Sequence, residues 1–241
     1  MIELTGVSKT YDGQKQAVTN LSLTIPSGKI FGFLGPNGAG KSTTIKMMTG
    51  ILPLDEGQIT MNGFDITTDA LEAKRSFGYV SDSPDQFLRL KGVEYLNFIG
   101  DLYDVDTKTR KERIEHFTKE FGIFEVLNDT IQSYSHGMRQ KIIVTGVLLH
   151  DPDVWILDEP LTGLDPKSAF TLKEMMKEHA EKGKTVFFST HVLEVVEQLC
   201  DEVAIISNGE ILFNGDMKEM KKQFKEDQTL EHIFLELTNH E

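Results

Sequence analysis

Cysteine, tryptophan and long apolar runs are scarce in this chain of 241 residues, which contains one cysteine, Cys200, and one tryptophan. A single cysteine excludes an intramolecular disulfide, so we expect a reducing compartment, with Cys200 as a small buried residue on a helix. No apolar run approaches the roughly 20 residues that cross a bilayer, and residues 1–4 begin with strand-like alternation instead of a signal peptide. If the protein works at a membrane, another chain must supply the span.

Positive charge is also in deficit, because 25 Lys and Arg against 38 Asp and Glu give a net charge of 25 − 38 = −13. This net negative charge disfavours electrostatic binding to nucleic-acid phosphates, so we expect no nucleic-acid partner. The surplus of acid is typical of a well-solvated surface.

A glycine-rich stretch carries the clearest chemistry, since it fits the phosphate-binding pattern G-x-x-x-x-G-K-[S/T] between an apolar strand and a helix-forming run. Its residues are Gly35, Pro36, Asn37, Gly38, Ala39, Gly40, Lys41, Ser42 and Thr43. Glycines let backbone N–H groups point at phosphate oxygens, and the helix N-terminus adds partial positive charge. We expect Lys41 to reach the β- and γ-phosphates and Ser42 to take one Mg²⁺ position. The alternative is a strand-to-helix turn without a ligand.

The order of elements predicts the fold class. Strands and turns fill the first third, with a hairpin signal at Asn62-Gly63, and helical spacing follows from about Pro84 to Leu149. Buried strands then alternate with helices at about 166–182 and 193–199. This alternation predicts an α/β fold whose parallel sheet is covered on both faces. The helical middle is then an insertion between two halves of one nucleotide-binding core.

Two adjacent acids, Asp158 and Glu159, end the apolar run that begins at Val154. The carboxyl ends of parallel strands are where α/β proteins bind ligands, and neighbouring strand residues face opposite ways, so the acids should do different work. We expect Asp158 to hold Mg²⁺ directly or through water, and Glu159 to activate or orient the water that attacks the γ-phosphate. The alternative is a strand capped by solvated acids.

With these motifs in this order, the chain resembles the ATPase subunits of ATP-binding cassette (ABC) transporters over roughly residues 1–216. Residues 135–140 stand where that family carries its signature sequence. The resemblance implies two subunits packed head to tail around ATP and Mg²⁺, with Ser135 and Gly137 covering the partner's ATP. A capped helix without a ligand is the alternative for this stretch.

His136 and Met138 depart from the commonest family signature and look like variants seen among bacterial exporters. A further departure is Asp82, where the family commonly has a glutamine that contacts Mg²⁺ and water. The shorter, charged aspartate could reach the metal through a water, or remain a loop carboxylate without metal contact.

The resemblance implies roles for three more residues. Tyr11 matches the aromatic that stacks on adenine, although a tyrosine after an N-terminal strand is also ordinary packing. His191 is implied to contact the γ-phosphate and to hold the water of Glu159. Asp165 is implied to shape the site across the dimer interface, and it can also N-cap the helix that begins at Pro166.

We therefore expect an ATPase subunit that drives an integral-membrane permease from the inner face of the cell membrane. The signature and the run 230–237 resemble exporter subunits, so export is the expected direction. The chain reads as one cassette domain, with a core of 1–83 and 151–216, a helical signature subdomain of 84–150 and a helical tail of 217–241. We expect the permease groove near residues 79–104, with Phe87, Leu88 and Leu90 contributing unless Phe87 is core.

Two other classes compete with this interpretation. A soluble cassette ATPase acting on a cytosolic assembly such as the ribosome would usually carry two cassettes or basic segments, whereas this chain has one cassette and is acidic. A P-loop GTPase would carry an Asn-Lys-x-Asp base-reading motif, and the sequence has none. A kinase would not carry the signature together with the Asp158-Glu159 pair.

Overall fold

The structure, a computed structural model, describes residues 1–13, 15–217, 219–220 and 229–238. The strands are β1 (Ile2–Tyr11), β2 (Lys15–Ile25), β3 (Ile30–Leu34), β4 (Glu56–Met61), β5 (Phe64–Asp65), β6 (Phe77–Val80), β7 (Val154–Asp158), β8 (Thr185–Thr190), β9 (Glu202–Ser207) and β10 (Glu210–Asp216). The helices are α1 (Lys41–Met48), α2 (Ala70–Ser76), α3 (Gly92–Leu102), α4 (Thr107–Glu120), α5 (His136–His150), α6 (Pro166–Glu181), α7 (Leu193–Leu199) and α8 (Leu230–Thr238). Short 3₁₀ turns lie at Phe124–Val126 and Ile131–Ser133.

The larger sheet has the strand order β10-β9-β3-β8-β7-β6. Strands β9, β3, β8, β7 and β6 run parallel, and β10 pairs antiparallel with β9 at one edge. The predicted parallel sheet is thus confirmed, as part of a mixed sheet. Strand β6 was missing from the sequence prediction because it is short and contains Gly78, a poor strand former.

Both faces of this sheet are covered, as the apolar runs predict. In β3, Phe31 and Phe33 face a core shared with α1 and the smaller sheet, whereas Ile30 faces a second core shared with helices α3, α5 and α6. Strand β7 divides in the same way, with Ile156 on the first side and Trp155 on the second. Successive strand side chains point to opposite faces, so a continuous apolar run is what a doubly covered strand requires.

The smaller, antiparallel sheet has the order β2-β1-β4-β5. Strands β4 and β5 form the hairpin predicted at Asn62-Gly63, and these two residues have φ angles of 50° and 84°. Positive φ at both central positions is the type I′ geometry, which favours this residue pair.

Helices α3, α4 and α5 fill the predicted helical middle, between β6 and β7. Ser135 caps α5, because its Oγ atom accepts a hydrogen bond of 3.3 Å from the Met138 N–H. Most of α5 from Gln140 to Leu149 is buried, so this helix joins the insertion to the sheet.

The last described helix packs back on the core. Leu230 and Ile233 of α8 are buried in one cluster with Val196 of α7. Cys200 does not lie within a helix as expected, since α7 ends at Leu199 and Cys200 follows it as the C-cap residue. In the described part of the chain, none of the helices combines the length and the apolar character needed to span a membrane.

Candidate active site

Four parallel strands bring the phosphate-binding loop and four further predicted site residues to one edge of the larger sheet. The phosphate-binding loop follows β3, Asp82 follows β6, Asp158 ends β7 with Glu159 directly after it, and His191 follows β8. A cleft of about 450 Å³ opens there. It is lined by Tyr11, Gln16, Ala17, Asn37, Gly38, Gly40, Lys41, Ser42, Thr43, Asp82, Glu159 and Asn208.

The loop is shaped to expose backbone N–H groups. Gly40 has φ 110°, and a Cβ atom there would lie 2.6 Å from the Ala17 carbonyl oxygen, so no other residue fits without a shift. Gly40 also stands at the N-cap of α1 without a side-chain cap, which leaves the first N–H groups of the helix to a ligand.

Lys41 is held inside this loop. Its Nζ atom donates hydrogen bonds to the carbonyl oxygens of Gly35 at 2.6 Å and Pro36 at 3.1 Å. Burial lowers the pKa of Lys41, while the charges of Glu159 and Asp158 raise it. The Lys41 ammonium group therefore lies against the loop backbone, and the two nearby carboxylates favour its charged form.

Asp158 is the buried acid of the pair, with 1% of its surface exposed. The Ser189 hydroxyl donates to its Oδ1 atom at 2.5 Å, whereas Oδ2 is buried and has no hydrogen-bond partner in the described residues. Burial raises the pKa of Asp158, hydrogen bonding by Ser189 and Ser42 lowers it, and the charges of Asp82 and Glu159 raise it.

These donors fit a magnesium ion. An unpartnered buried carboxylate oxygen beside a serine hydroxyl offers hard oxygen ligands, and Mg²⁺ typically takes one or two carboxylates plus phosphates and waters. The described residues contain no group of three or more His, Cys, Asp or Glu side chains that could hold a metal by themselves.

Glu159 contacts the predicted histidine. Its Oε1 atom lies 2.8 Å from Nδ1 of His191, and the side chains are 19% and 53% exposed respectively. Glu159 has φ 49°, and its N–H donates to the Ser189 Oγ atom at 3.1 Å. The left-handed backbone turns this side chain away from the strand direction and toward the cleft.

Tyr11 lies at the outer end of the cleft. Its hydroxyl is 3.4 Å from the Thr43 Oγ1 atom and 37% of the residue is exposed. Three lining residues, Gln16, Ala17 and Asn208, did not emerge from the sequence. They come from β2 and from the turn after β9, and no motif connects those elements to the loop.

Ser135, Gly137 and Asp165 do not line this cleft among the described residues. They belong instead to a second cluster, formed by the start of α5 and the loop before α6. A Cβ atom on Gly137 would lie 2.6 Å from the Gly163 carbonyl oxygen, so the two backbones are in close contact. The Lys141 Nζ atom lies 2.7 Å from Oδ2 of Asp165.

Asp165 also caps α6, as expected, because its Oδ1 atom accepts from the Ser168 N–H at 3.0 Å. Hydrogen bonds from Lys141 and Ser168 hold the pKa of Asp165 far below its ordinary value. The partnership with Lys141 was not predicted, because it joins residues 24 positions apart.

Ser189 was not singled out from the sequence as a site residue, although it contacts both acids. The signal lies in the pairing register, since β7 and β8 are parallel and place Asp158 directly opposite Ser189. A register is a property of the folded sheet and is not apparent in one strand alone.

A mixed sheet with a phosphate-binding loop after its central strand, a buried acid and an acid–histidine pair defines a P-loop nucleoside triphosphatase. Residues 18–162 match the family model described as ABC transporter. A shorter stretch, residues 129–197, also matches an AAA domain model. The chain belongs to the ABC transporter family and is an ATP-binding subunit that hydrolyses ATP.

Individual relatives agree with this assignment. The chain is 36% identical over 239 residues to the ABC transporter ATP-binding protein NatA of Bacillus subtilis, covering 98% of this chain and 97% of NatA. It is 36% identical over 220 residues to the linearmycin resistance ATP-binding protein LnrL of the same organism, covering 91% and 70% of the two chains.

Solved structures share the fold. The chain is similar to a structure of the ATP-binding subunit of an ABC transporter, with a TM-score of 0.94, 29% identity and coverage of 98% of this chain and 99% of that one. It also resembles a dimeric, post-hydrolysis structure of the ATP-binding cassette MJ0796 bound to ADP and phosphate, with a TM-score of 0.81, 23% identity and coverage of 90% and 99%.

Proposed function

We propose that this chain is one of two ATPase subunits that close head to tail around two ATP molecules and drive a membrane permease. The observation that carries the proposal is that Lys41 and Glu159 line one cleft, while His191 contacts Glu159 and the charge of Asp158 acts on Lys41. The second cluster, with Ser135 and Gly137, lies outside that cleft. In a head-to-tail dimer the second cluster of one subunit would complete the cleft of the other.

In the proposed reaction, Lys41 and the loop N–H groups bind the β- and γ-phosphates. Asp158 and Ser42 would hold Mg²⁺, and Asp82 would reach it through a water. The ion, when bound, neutralises phosphate charge and helps to align the γ-phosphate. Tyr11 would stack on adenine, since its ring is part of the cleft wall.

Glu159 would orient and deprotonate the attacking water, with His191 as its partner. The contact of 2.8 Å between Oε1 and Nδ1 fixes the carboxylate at the cleft while leaving Oε2 for the water. His191 would contact the γ-phosphate through its other ring nitrogen. Ser135 and Gly137 of the facing subunit would supply further donors, because Ser135 begins a helix whose N-terminus favours anions.

We propose export as the direction of transport and the inner face of the cell membrane as the location. The support comes from NatA and LnrL, because the latter is a resistance protein by name and the former is a transporter subunit. The acidic charge of −13 gives no support to the alternative of a ribosome-associated cassette ATPase.

The permease would contact the surface at the start of the helical insertion. Phe87 is 42% exposed, and its ring lies 5.9 Å from that of Phe98, which is 46% exposed. Leu102, one turn further along α3, is 61% exposed. Leu88 and Leu90 are partly buried against the insertion core and would support this surface from below.

We keep the predicted division of the chain as part of the proposal. Residues 1–83 and 151–216 would form the nucleotide-binding core and 84–150 the signature subdomain. The tail of 217–241 would include α8, which packs on α7; residues 218, 221–228 and 239–241 lie outside the described part.

The test is a tagged Glu159→Gln variant purified from membranes in mild detergent with Mg–ATP. We expect retained ATP, turnover reduced roughly 10²–10⁴-fold, and a co-purifying polytopic membrane protein. Glu181→Gln, which changes an exposed carboxylate at the end of α6, is the control and should keep its turnover. Normal turnover in Glu159→Gln would remove the proposed role of Glu159, and recovery only from the cytosol with ribosomes would favour the alternative function.

A further inference from the structure

A second cavity, of about 180 Å³, lies between the helical insertion and the core. We call it the α4–α6 pocket, because side chains of these two helices form much of its lining. Trp155, the second residue of β7, also lines it, whereas the candidate active site lies at the end of that strand. Among the described residues, the pocket and the active-site cleft share no lining side chain. The pocket is therefore separate from the proposed ATP site.

Apolar side chains form part of the pocket lining. Leu148 and Trp155 are buried, and Phe117 and Met175 are partly buried against the same core. The Trp155 ring stacks on the imidazole of His179, with ring centroids 4.1 Å apart and an interplanar angle of 24°. A dry cavity of about 150 Å³ holds a molecule of the size of benzene. The pocket therefore suits a ligand of roughly seven to nine heavy atoms with an aromatic body.

Two of the lining side chains carry a buried ring nitrogen without a hydrogen-bond partner. Nε1 of Trp155 and Nε2 of His179 have none among the described residues, and the two side chains belong to residues that are only 4% and 3% exposed. A buried polar group without a partner is costly and uncommon in native proteins. Because an indole N–H can only donate, a hydrogen-bond acceptor on a ligand would give Trp155 the partner that it lacks.

The charged residues of the pocket leave an excess of positive charge. Asp151 is compensated, since its Oδ1 atom lies 2.8 Å from Nζ of Lys184. Arg113 and Lys182 line the pocket and form no ion pair with any residue that the structure describes. Glu178 is the lining acid that remains, so two cations face one carboxylate. This balance favours an anionic ligand.

Two further observations agree with an anion at this position. Burial lowers the pKa of His179 to about 4, and the charges of Lys184 and Lys182 lower it as well, against the opposing effect of Asp151. The imidazole therefore stays neutral at pH 7 in a field that disfavours added positive charge. Nη1 of Arg113 donates to the Leu149 carbonyl oxygen at 2.6 Å, which holds the guanidinium group at the end of α5 with N–H groups to spare.

We propose that the α4–α6 pocket binds a small aromatic carboxylate, with its carboxylate group on Arg113 and Lys182 and its ring beside Trp155. A guanidinium group matches a carboxylate because the two can form parallel hydrogen bonds. The Trp155 N–H would donate to the same acceptor group. Such a ligand would lie between α4 of the insertion and α6 of the core, and its binding does not depend on the proposed ATPase function.

The test is a fluorescence titration of the full chain with benzoate in the absence of nucleotide. Trp155 is the one tryptophan of the sequence, so its emission reports on this pocket. We expect a saturable change with a dissociation constant on the order of 1 mM, as befits so small a ligand. Benzamide, which keeps the shape without the charge, and benzylamine, which reverses the charge, should each bind at least about tenfold more weakly.

Three variants with the same kind of substitution locate the carboxylate. Arg113→Gln should raise the dissociation constant of benzoate about tenfold, and Lys182→Gln about threefold to fivefold. Lys167→Gln, which changes an exposed lysine at the opposite end of α6, is the control and should bind benzoate as the parent does. If Arg113→Gln lowers the melting temperature through its lost contact with Leu149, Lys182→Gln decides the question, because its side chain has no described ion pair to lose.

The outcomes are distinct. No saturable change of Trp155 emission, with no heat of binding by calorimetry, overturns the site. Benzamide or benzylamine binding as tightly as benzoate overturns the choice of an anion. An unchanged dissociation constant for benzoate in Lys182→Gln and in a stably folded Arg113→Gln overturns the assigned position of the carboxylate.

Discussion

Ser189→Ala is the perturbation that most directly tests how the two acids are held. The Ser189 side chain is fully buried, and its hydroxyl donates to Asp158 while accepting from the Glu159 N–H. The substitution deletes both hydrogen bonds without adding volume. It leaves a buried carboxylate with one donor fewer and a backbone N–H without an acceptor.

The expected loss follows from these two bonds. A hydrogen bond to a charged group contributes about 1.5–3 kcal/mol and a neutral one about 1 kcal/mol, so the free energy of unfolding should fall by about 3 kcal/mol. The pKa of Asp158 should rise further, because the Ser189 hydrogen bond lowers it against the dominant effect of burial. Turnover should fall roughly 10–100-fold, since Glu159 loses the anchor of its left-handed backbone. Affinity for ATP without Mg²⁺ should change little, because Ser189 does not line the cleft among the described residues.

The assay combines urea unfolding without nucleotide, ATPase kinetics and ATP binding. Ser76→Ala is the matched control, because the Ser76 hydroxyl donates to the Ala73 carbonyl oxygen at 2.7 Å within α2, away from the site. Its loss should cost about 1 kcal/mol or less and leave turnover intact. If Ser189→Ala matched Ser76→Ala in both stability and turnover, the two acids would not depend on this serine and the reasoning would fail.

Two further predictions concern close packing and pH. Gly137→Ala places a Cβ atom 2.6 Å from the Gly163 carbonyl oxygen, so it should lower the free energy of unfolding by about 1–3 kcal/mol. It should also reduce ATPase activity while the single chain still binds ATP. Weakened ATP binding would contradict the placement of Gly137 outside the chain's own cleft. His179 is 3% exposed, and burial lowers its pKa from 6.5 to about 4. Below pH 6.5, His179 binds a proton in the unfolded chain but stays neutral in the folded chain. The free energy of unfolding therefore falls as the pH falls, by about 2 kcal/mol at pH 5 for His179. His179→Phe should remove that share of the pH dependence in urea unfolding, and an unchanged slope between pH 7 and 5 would refute the assignment.

The strands and motifs that depend on local patterns could be predicted from the sequence. The loop at 35–43 is recognisable because its glycines are imposed by backbone geometry at the positions themselves, as Gly40 shows with φ 110°. The run 154–157 is readable as a doubly covered strand because all four side chains are apolar, and all of them are buried. Helix α7 begins and ends at the predicted residues, 193 and 199.

Contacts between elements could not be predicted in the same way. The contact of Asp158 with Ser189 depends on strand register, and the contact of Asp165 with Lys141 depends on the packing of α5 against a distant loop. The ion pair between Asp85 and Arg139 joins residues 54 positions apart. Strand β6 was missed because its four residues are defined by their pairing with β7 and not by a periodicity of their own.

The separation of the two clusters has a consequence for how such a protein could be controlled. The cleft is lined by part of the phosphate-binding loop and by Glu159, whereas the N-terminus of α5 lies outside it, in contact with the 163–165 loop. If a second subunit completes each cleft, the rate of hydrolysis depends on the approach of two surfaces and not on ATP binding alone. The insertion that carries α5 also presents the exposed Phe87, Phe98 and Leu102 surface. A permease bound there would therefore contact the same helical insertion that positions Ser135, so packing within the insertion would couple transport to hydrolysis without any change in the phosphate-binding loop.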